Sequence, residues 1–185
     1  MIYLYEAFKS VIPIFTIIGI LIFLSVFAID FKFKVEQTVP RQLVKIIIHY
    51  GVIMSFIGIV LVTGLPSDHP EKVTQFEPFQ SIIDTYRYAT PYAFFNAIVM
   101  NVILFIPFSL FLYLISKRLI ITILISFFFS VFIEVMQYIL PIGRISNVDD
   151  VILNTTGAII GCLIGLVLRG LIKLGQLSKK QNKGV

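Results

Sequence analysis

Cysteine occurs once in the 185 residues, histidine twice and the acids ten times, and each scarcity removes a class of function. A lone cysteine, Cys162 between Gly161 and Leu163, forms no internal disulfide and carries no redox information. Its plain reading is a small apolar packing residue. His49 and His69 are the two imidazoles, and no Ser–His or Cys–His pair lies near the polar residues of the C-terminal half, so a nucleophile–base set is missing. No internal repeat relates one part of the chain to another, which ranks transport low. The 15 bases are dispersed and build no folded basic patch, so no nucleic-acid partner is expected. The connections between apolar runs are too short for an additional soluble domain.

Apolar sequence is what the chain has in quantity. Hydrophobic residues make up 58% and the mean hydropathy is +0.97. Five apolar runs, residues 11–29, 46–65, 93–115, 119–140 and 151–172, are each long enough to cross a hydrocarbon layer about 30 Å thick, which takes roughly 20 helical residues. These runs lack the polar face that a water-soluble bundle needs. The first exceeds the apolar core of a secretory signal, has only Lys9 as a preceding base and is followed by no A-x-A-like site, so it reads as a retained span. The predicted fold is all-α, a polytopic transmembrane helical bundle. Residues 1–92 form two spans and an outer amphipathic loop, 93–175 a three-helix core, and 176–185 a basic tail.

Charge sets an expected orientation. Lys32, Lys34, Arg41, Lys45, Lys117, Arg118, Arg169, Lys173, Lys179, Lys180 and Lys183 fall on one side of five spans, and Lys9, Lys72, Arg87 and Arg144 on the other. This asymmetry predicts the N-terminus outside and the C-terminus in the cytoplasm. The net charge of +5 then reads as anchoring against anionic lipid. Glu6, Asp68, Glu71, Glu77, Asp84, Asp149 and Asp150 face outward as an acidic rim.

Individual positions sharpen this picture. His49 in the second span reads more simply as a residue that snorkels or bonds a neighbouring carbonyl than as a proton relay. Gly51 and Gly58 suggest close helix contacts. In the long outer loop Phe79, Ile82, Ile83 and Tyr86 recur at helical spacing, which predicts an amphipathic helix lying on the surface. It is either a packed loop helix or a lid. The third span carries Asn96, Asn101 and Pro107, and the proline predicts a kink by displacing the carbonyl of Ile103. The short Ser116–Lys117–Arg118 turn predicts a tight antiparallel hairpin with the fourth span.

The polar residues concentrate around the last loop. Glu134 is the one acid deep in any run and Gln137 lies three residues on, on the same helix face. An acid at helix centre costs about 2.5–3.5 kcal/mol on insertion scales, so it needs a partner or a role. Arg144 and the pair Asp149–Asp150 occupy the turn, and one aspartate suits the positive start of the fifth helix. Asp150, Asn154, Gly157 and Gly161 share a stripe about 60° wide at roughly 3.6 residues per turn. The glycines Gly157, Gly161 and Gly165 invite a close neighbour. The fourth span is the expected one, and its approach would bring Asp150 and Asn154 toward Glu134, Gln137 and Arg144.

In these residues the sequence resembles the VanZ-like membrane family. The likeness rests on Asn101 to Pro107 in the third span, Glu134-x-x-Gln137, Gly143–Arg144, Asp149–Asp150, Asn154–Thr155 and Gly157, with Pro78–Phe79 in the outer loop. It departs at Ser109, where the family usually has glycine, and at Asn147, where a further acid is common. The resemblance implies a multi-pass protein of the bacterial cytoplasmic membrane, from a family whose namesake is linked to reduced teicoplanin susceptibility. A binding role at the outer leaflet is read ahead of an enzymatic one. Asn101, Glu134, Gln137, Arg144, Asp149, Asp150 and Asn154 would recognise a lipid-linked cell-envelope component or a lipid-tailed glycopeptide antibiotic, with membrane lipids as the surrounding partners. The alternative is an intramembrane enzyme acting on a lipid-linked substrate with Glu134 as general acid–base. A metal held by Glu134, Asp149 and Asp150 is a lesser option, and neither metal nor cofactor is expected. A third reading is a purely structural polar network.

Overall fold

The computed structural model describes residues 9, 11–32, 39–64, 74–140 and 146–181. Each apolar run becomes a helix: α1 (Ile12–Lys32), α2 (Val39–Gly64), α5 (Met100–Ser116), α6 (Leu119–Ile139) and α7 (Val148–Gln181). Leu43–Gly64, Pro91–Ser116, Leu119–Ile139 and Val148–Leu174 are long and apolar enough to cross a membrane. α1 has 21 residues, and in its apolar segment the hydroxyls of Thr16 and Ser25 donate to the carbonyls of Ile12 and Ile22 within the same helix. Large apolar side chains such as Leu21, Ile120, Phe128 and Val167 are exposed on the bundle's outside, as lipid-facing positions require. The chain is a multi-pass membrane protein with an all-α bundle.

Helix limits follow local chemistry. Thr90 caps the third span, its hydroxyl accepting Ala93 N–H at 3.3 Å, and Pro91 sits in the first turn of α4 (Pro91–Phe94), where its missing N–H costs nothing. A π-helical turn, Phe95–Val99, joins α4 to α5. α5 runs without a break through Pro107, and the departure from α geometry lies before the proline, in that π turn. α7 continues past the apolar run to Gln181, into the basic tail. The short turn after α5 is closed by Lys117 in the left-handed region (φ 57°), and by a hydroxyl bond of 2.8 Å between Ser116 and Thr122.

α5 is the central helix, packed on α2, α6 and α7. Ile59, Phe105, Phe108 and Ile133 form the buried core, with Phe129 against them; the Phe108 and Phe129 rings lie 5.4 Å apart. The glycine stripe of α7 meets α5 and not, as expected from the sequence, α6. A Cβ at Gly157 would collide with the carbonyl oxygen of Val102, and one at Gly161 with Ile106 and Ser109. Gly165 faces Tyr113, whose ring is 2.6 Å from the built Cβ. Both residue numbers rise together, so α5 and α7 run parallel in near backbone contact. α7 presents glycine for the whole of that seam, and the buried Ser109 is the small residue opposite it. Gly51 likewise receives the Phe111 ring, and Gly58 the ring of Phe15. His49 bonds the carbonyl of Lys45 at 2.8 Å, and Cys162 is buried.

At the Glu134 end the two long connections meet. β1 (Thr74–Gln75) and β2 (Ser146–Asn147) pair in parallel, Thr74 with Ser146 and Gln75 with Asn147. The surface helix α3 (Gln80–Tyr88) forms in the predicted place. Much of its apolar surface is open, Tyr86 being 78% exposed and Phe79, Ile83 and Tyr88 also exposed, while Ile82 is half-buried and the Tyr86 ring lies edge-on to Phe94 at 6.5 Å. That is the arrangement of a helix resting at an interface.

Candidate functional site

Five hydrogen bonds link the end of α6, the start of α7 and α3. Glu134 is 8% exposed, and its Oε2 accepts the backbone N–H of Asn147 at 2.8 Å. The Ser146 hydroxyl donates to the Glu134 carbonyl at 3.1 Å. Asn147 in turn caps α7, its Oδ1 accepting Asp149 N–H at 3.0 Å, so the cap of α7 is an asparagine and not an aspartate. Asp149, fully buried, uses both carboxylate oxygens elsewhere: Oδ1 accepts Phe79 N–H at 2.5 Å and Oδ2 accepts Ile82 N–H at 3.0 Å. These are first-turn donors of α3, which would otherwise be orphaned. The α3 N-cap residue, Phe79, has no side chain that can serve. Asp149 provides the cap from another helix.

The remaining candidates go to separate partners. Gln137 reaches across to α2, donating to the carbonyl of Thr63 at 3.0 Å; that carbonyl is one of the last four of its helix, which lack intrahelical donors. Asn154, 3% exposed, donates from Nδ2 to Ser130 Oγ at 2.8 Å, one helical turn below Glu134. Among the described residues its Oδ1 is buried without a partner, as is Asn96 Oδ1. Asn101 donates to the carbonyl of Ala97 at 3.0 Å, inside the π turn. Asp150 is half-buried at the start of α7. Arg144 lies outside the described residues, as do His69 and the loop aspartate Asp68.

A groove of about 600 Å³ opens beside Glu134, between α6, α7 and the strand pair. Its polar end is Glu134, Ser146 and Asn147; its apolar walls include Phe127, Val131, Val135, Val151 and Ile152. Among the described candidates Glu134 is the one that lines it. Gln75 and Phe76 close one side, so among the described residues of that loop it is β1 and the residue after it, not α3, that border the groove. Among the described residues, Gln137, Asp149 and Asn154 instead bond to Thr63, to the start of α3 and to Ser130. Among the described residues no three His, Cys, Asp or Glu side chains are grouped to hold a metal, and both Asp149 oxygens are already taken by backbone N–H groups.

Sequence reading passed over Ser130, Ser146, Thr63 and the capping role of Asn147. For Ser130 a signal exists: Thr122, Ser126 and Ser130 are all buried and precede Glu134 at four-residue intervals, one continuous face of α6. Asn147 two residues before Asp149 also has the spacing of an asparagine cap. Nothing local marks Thr63, whose backbone alone is used.

No curated protein and no solved structure matches the chain. The VanZ/LLP1 family model matches residues 11–169, reaching well back from the C-terminal motifs into α1 and α2, and the chain belongs to that family.

Proposed function

We propose that this protein works in the bacterial cytoplasmic membrane. There it binds a lipid-linked cell-envelope component, or a lipid-tailed glycopeptide antibiotic, in the Glu134 groove at the outer leaflet. The observation that carries the reading is the groove itself, which places a carboxylate and an amide-bearing strand at one end of an apolar channel of about 600 Å³. Such a volume suits part of a lipid-sized ligand. Valine, isoleucine and phenylalanine walls suit an alkyl chain, while the Glu134–Asn147 corner suits hydroxyl, amide or amine groups. The scarcity of bases on this side supports an outward-facing groove. The phenotype attached to the family's namesake, lowered teicoplanin susceptibility, fits a groove for a lipid-tailed molecule.

The test is susceptibility to teicoplanin in a sensitive Gram-positive host, comparing wild type, Glu134→Gln and the groove-filling Val135→Trp at matched membrane levels. Protection that wild type gives and both variants lose supports the groove. Protection untouched by either variant sinks it. Acid–base chemistry on the same lipid-linked substrate is the second reading, because the acid lining the groove is Glu134; turnover of a lipid intermediate by the purified protein would separate it from binding.

A further inference from the structure

The opposite end of the bundle holds a second, differently built cavity, of about 530 Å³. Lys117, Arg169 and Lys173 line it together with Tyr113, Leu166 and Ile172. We propose that it binds the phosphate of an anionic phospholipid headgroup, in the leaflet opposite the Glu134 groove.

Lysines and arginines at span ends commonly do no more than reach for water, so the argument rests on how these are held. Tyr113 is 3% exposed and lies against Gly165, where any side chain would displace its ring. Arg169, one turn further along α7, sits over that ring with its Cζ 5.5 Å from the centroid, and Nη1 donates to the tyrosine hydroxyl at 3.3 Å. The guanidinium is thus fixed by a cation–π contact and a hydrogen bond. One of its five donors is used there, and the rest of the fork suits a phosphate.

Lys117 is placed as firmly at its backbone. It ends α5 in the left-handed conformation, φ 57°, donating its N–H to the Tyr113 carbonyl at 2.8 Å. Glycine is the usual residue at such a position, and here the chain carries a base instead. The Ser116–Thr122 hydroxyl bond locks the same turn.

No acid competes within these elements. α5, the turn after it and α7 beyond Asp150 carry neither Asp nor Glu, and the α6 acid is Glu134 at the far end. Three cations with apolar walls of Leu166 and Ile172 match a lipid, whose chains would continue along those walls, better than a free phosphate ester. Basic pockets between spans are recognised headgroup sites.

The experiment is native mass spectrometry of the full-length protein in detergent, titrated with phosphatidylglycerol or phosphatidylcholine. Wild type should retain phosphatidylglycerol at least tenfold better. Lys117→Gln, Lys173→Gln and Arg169→Gln should each lower retention about fivefold, as roughly 1 kcal/mol per base implies. Arg169→Lys, which keeps the charge and loses the fork, should also fall. The two lysines are exposed, so their variants remain informative if Arg169→Gln fails to fold. Equal retention of the two lipids, or an equal loss with Arg87→Gln at the other end, overturns the proposal in favour of diffuse charge. Displacement of bound lipid by millimolar glycerol phosphate overturns the lipid assignment in favour of a soluble phosphate ester.

Discussion

The carboxylate of Asp149 accepts the backbone N–H of Phe79 at 2.5 Å, joining residues 70 positions apart. Phe79 sits at φ 67°, a backbone state that costs a bulky residue of order 1–3 kcal/mol. The two bonds that Asp149 accepts, from Phe79 and Ile82, contribute about 1.5–3 kcal/mol each as bonds to a charged group. These bonds offset the strain, and through them the start of α3 is tied to the start of α7.

Asp149→Asn should release it. One carboxylate oxygen becomes an NH₂ that faces a backbone donor, so a bond is lost and a donor is left bare, a loss of about 1–3 kcal/mol. Thermal unfolding in detergent should shift down accordingly, and amide hydrogen exchange should rise across residues 79–83. Unchanged exchange there would mean that α3 is held by something other than this cap.

The same contact shows where sequence reading stops. Apolar runs and the Ser116–Arg118 turn make the spans and their hairpin legible, because lipid demands about 20 apolar residues whatever the partners are. The spacing of Phe79, Ile82 and Tyr86 announces α3 for a similar reason, a periodicity local to one helix. Partner identity is not local. Gly157, Gly161 and Gly165 declare a close approach, yet the stripe says nothing of which helix comes, and α5 occupies it. Glu134 and Gln137 share a face of α6 but lie at its two margins, so one turns to the Asn147 backbone and the other to Thr63. Both of those partners are main-chain groups, and these leave no mark in sequence.

The α5–α7 seam predicts a graded series. Gly157→Ala puts its methyl against the Val102 carbonyl, and Gly161→Ala against that of Ile106, whereas Gly165→Ala meets the Tyr113 side chain. Backbone cannot swing aside and a ring can. Overpacking typically costs about 1–3 kcal/mol, and the first two substitutions should stand at or above the top of that range, the third near the bottom. Melting temperatures in detergent, read with the yield of folded protein, provide the ranking; a Gly165 variant as damaged as the Gly157 variant would contradict the registered contact.

Asn154 and Ser130 should couple. Their bond of 2.8 Å is between two buried side chains, and such bonds within membranes average about 0.6 kcal/mol with a maximum near 1.7. A double-mutant cycle with Asn154→Ala and Ser130→Ala should return a coupling in that range. Because Asn154 is not among the groove-lining residues, its loss should lower stability more than it alters any phenotype at matched protein levels. A phenotype lost with full stability would return Asn154 to the binding site.

Glu134 carries two duties that substitution can separate. One oxygen holds Asn147 N–H, which is buried with it, and the side chain also faces the groove. Glu134→Gln keeps an acceptor for that N–H while removing the charge, so the strand pair and the start of α7 should stay in place. Glu134→Leu removes the acceptor and leaves a buried donor unmet, at about 1–3 kcal/mol. The leucine variant should therefore melt clearly below the glutamine variant. An ionised acid in a span costs free energy that an amide does not, so the glutamine variant should melt no lower than wild type. A glutamine variant that is folded and stable but has lost its ligand would separate the groove role of the carboxylate from its structural one. If both variants instead melt together, far below wild type, Glu134 is structural first, and the binding reading loses its anchor.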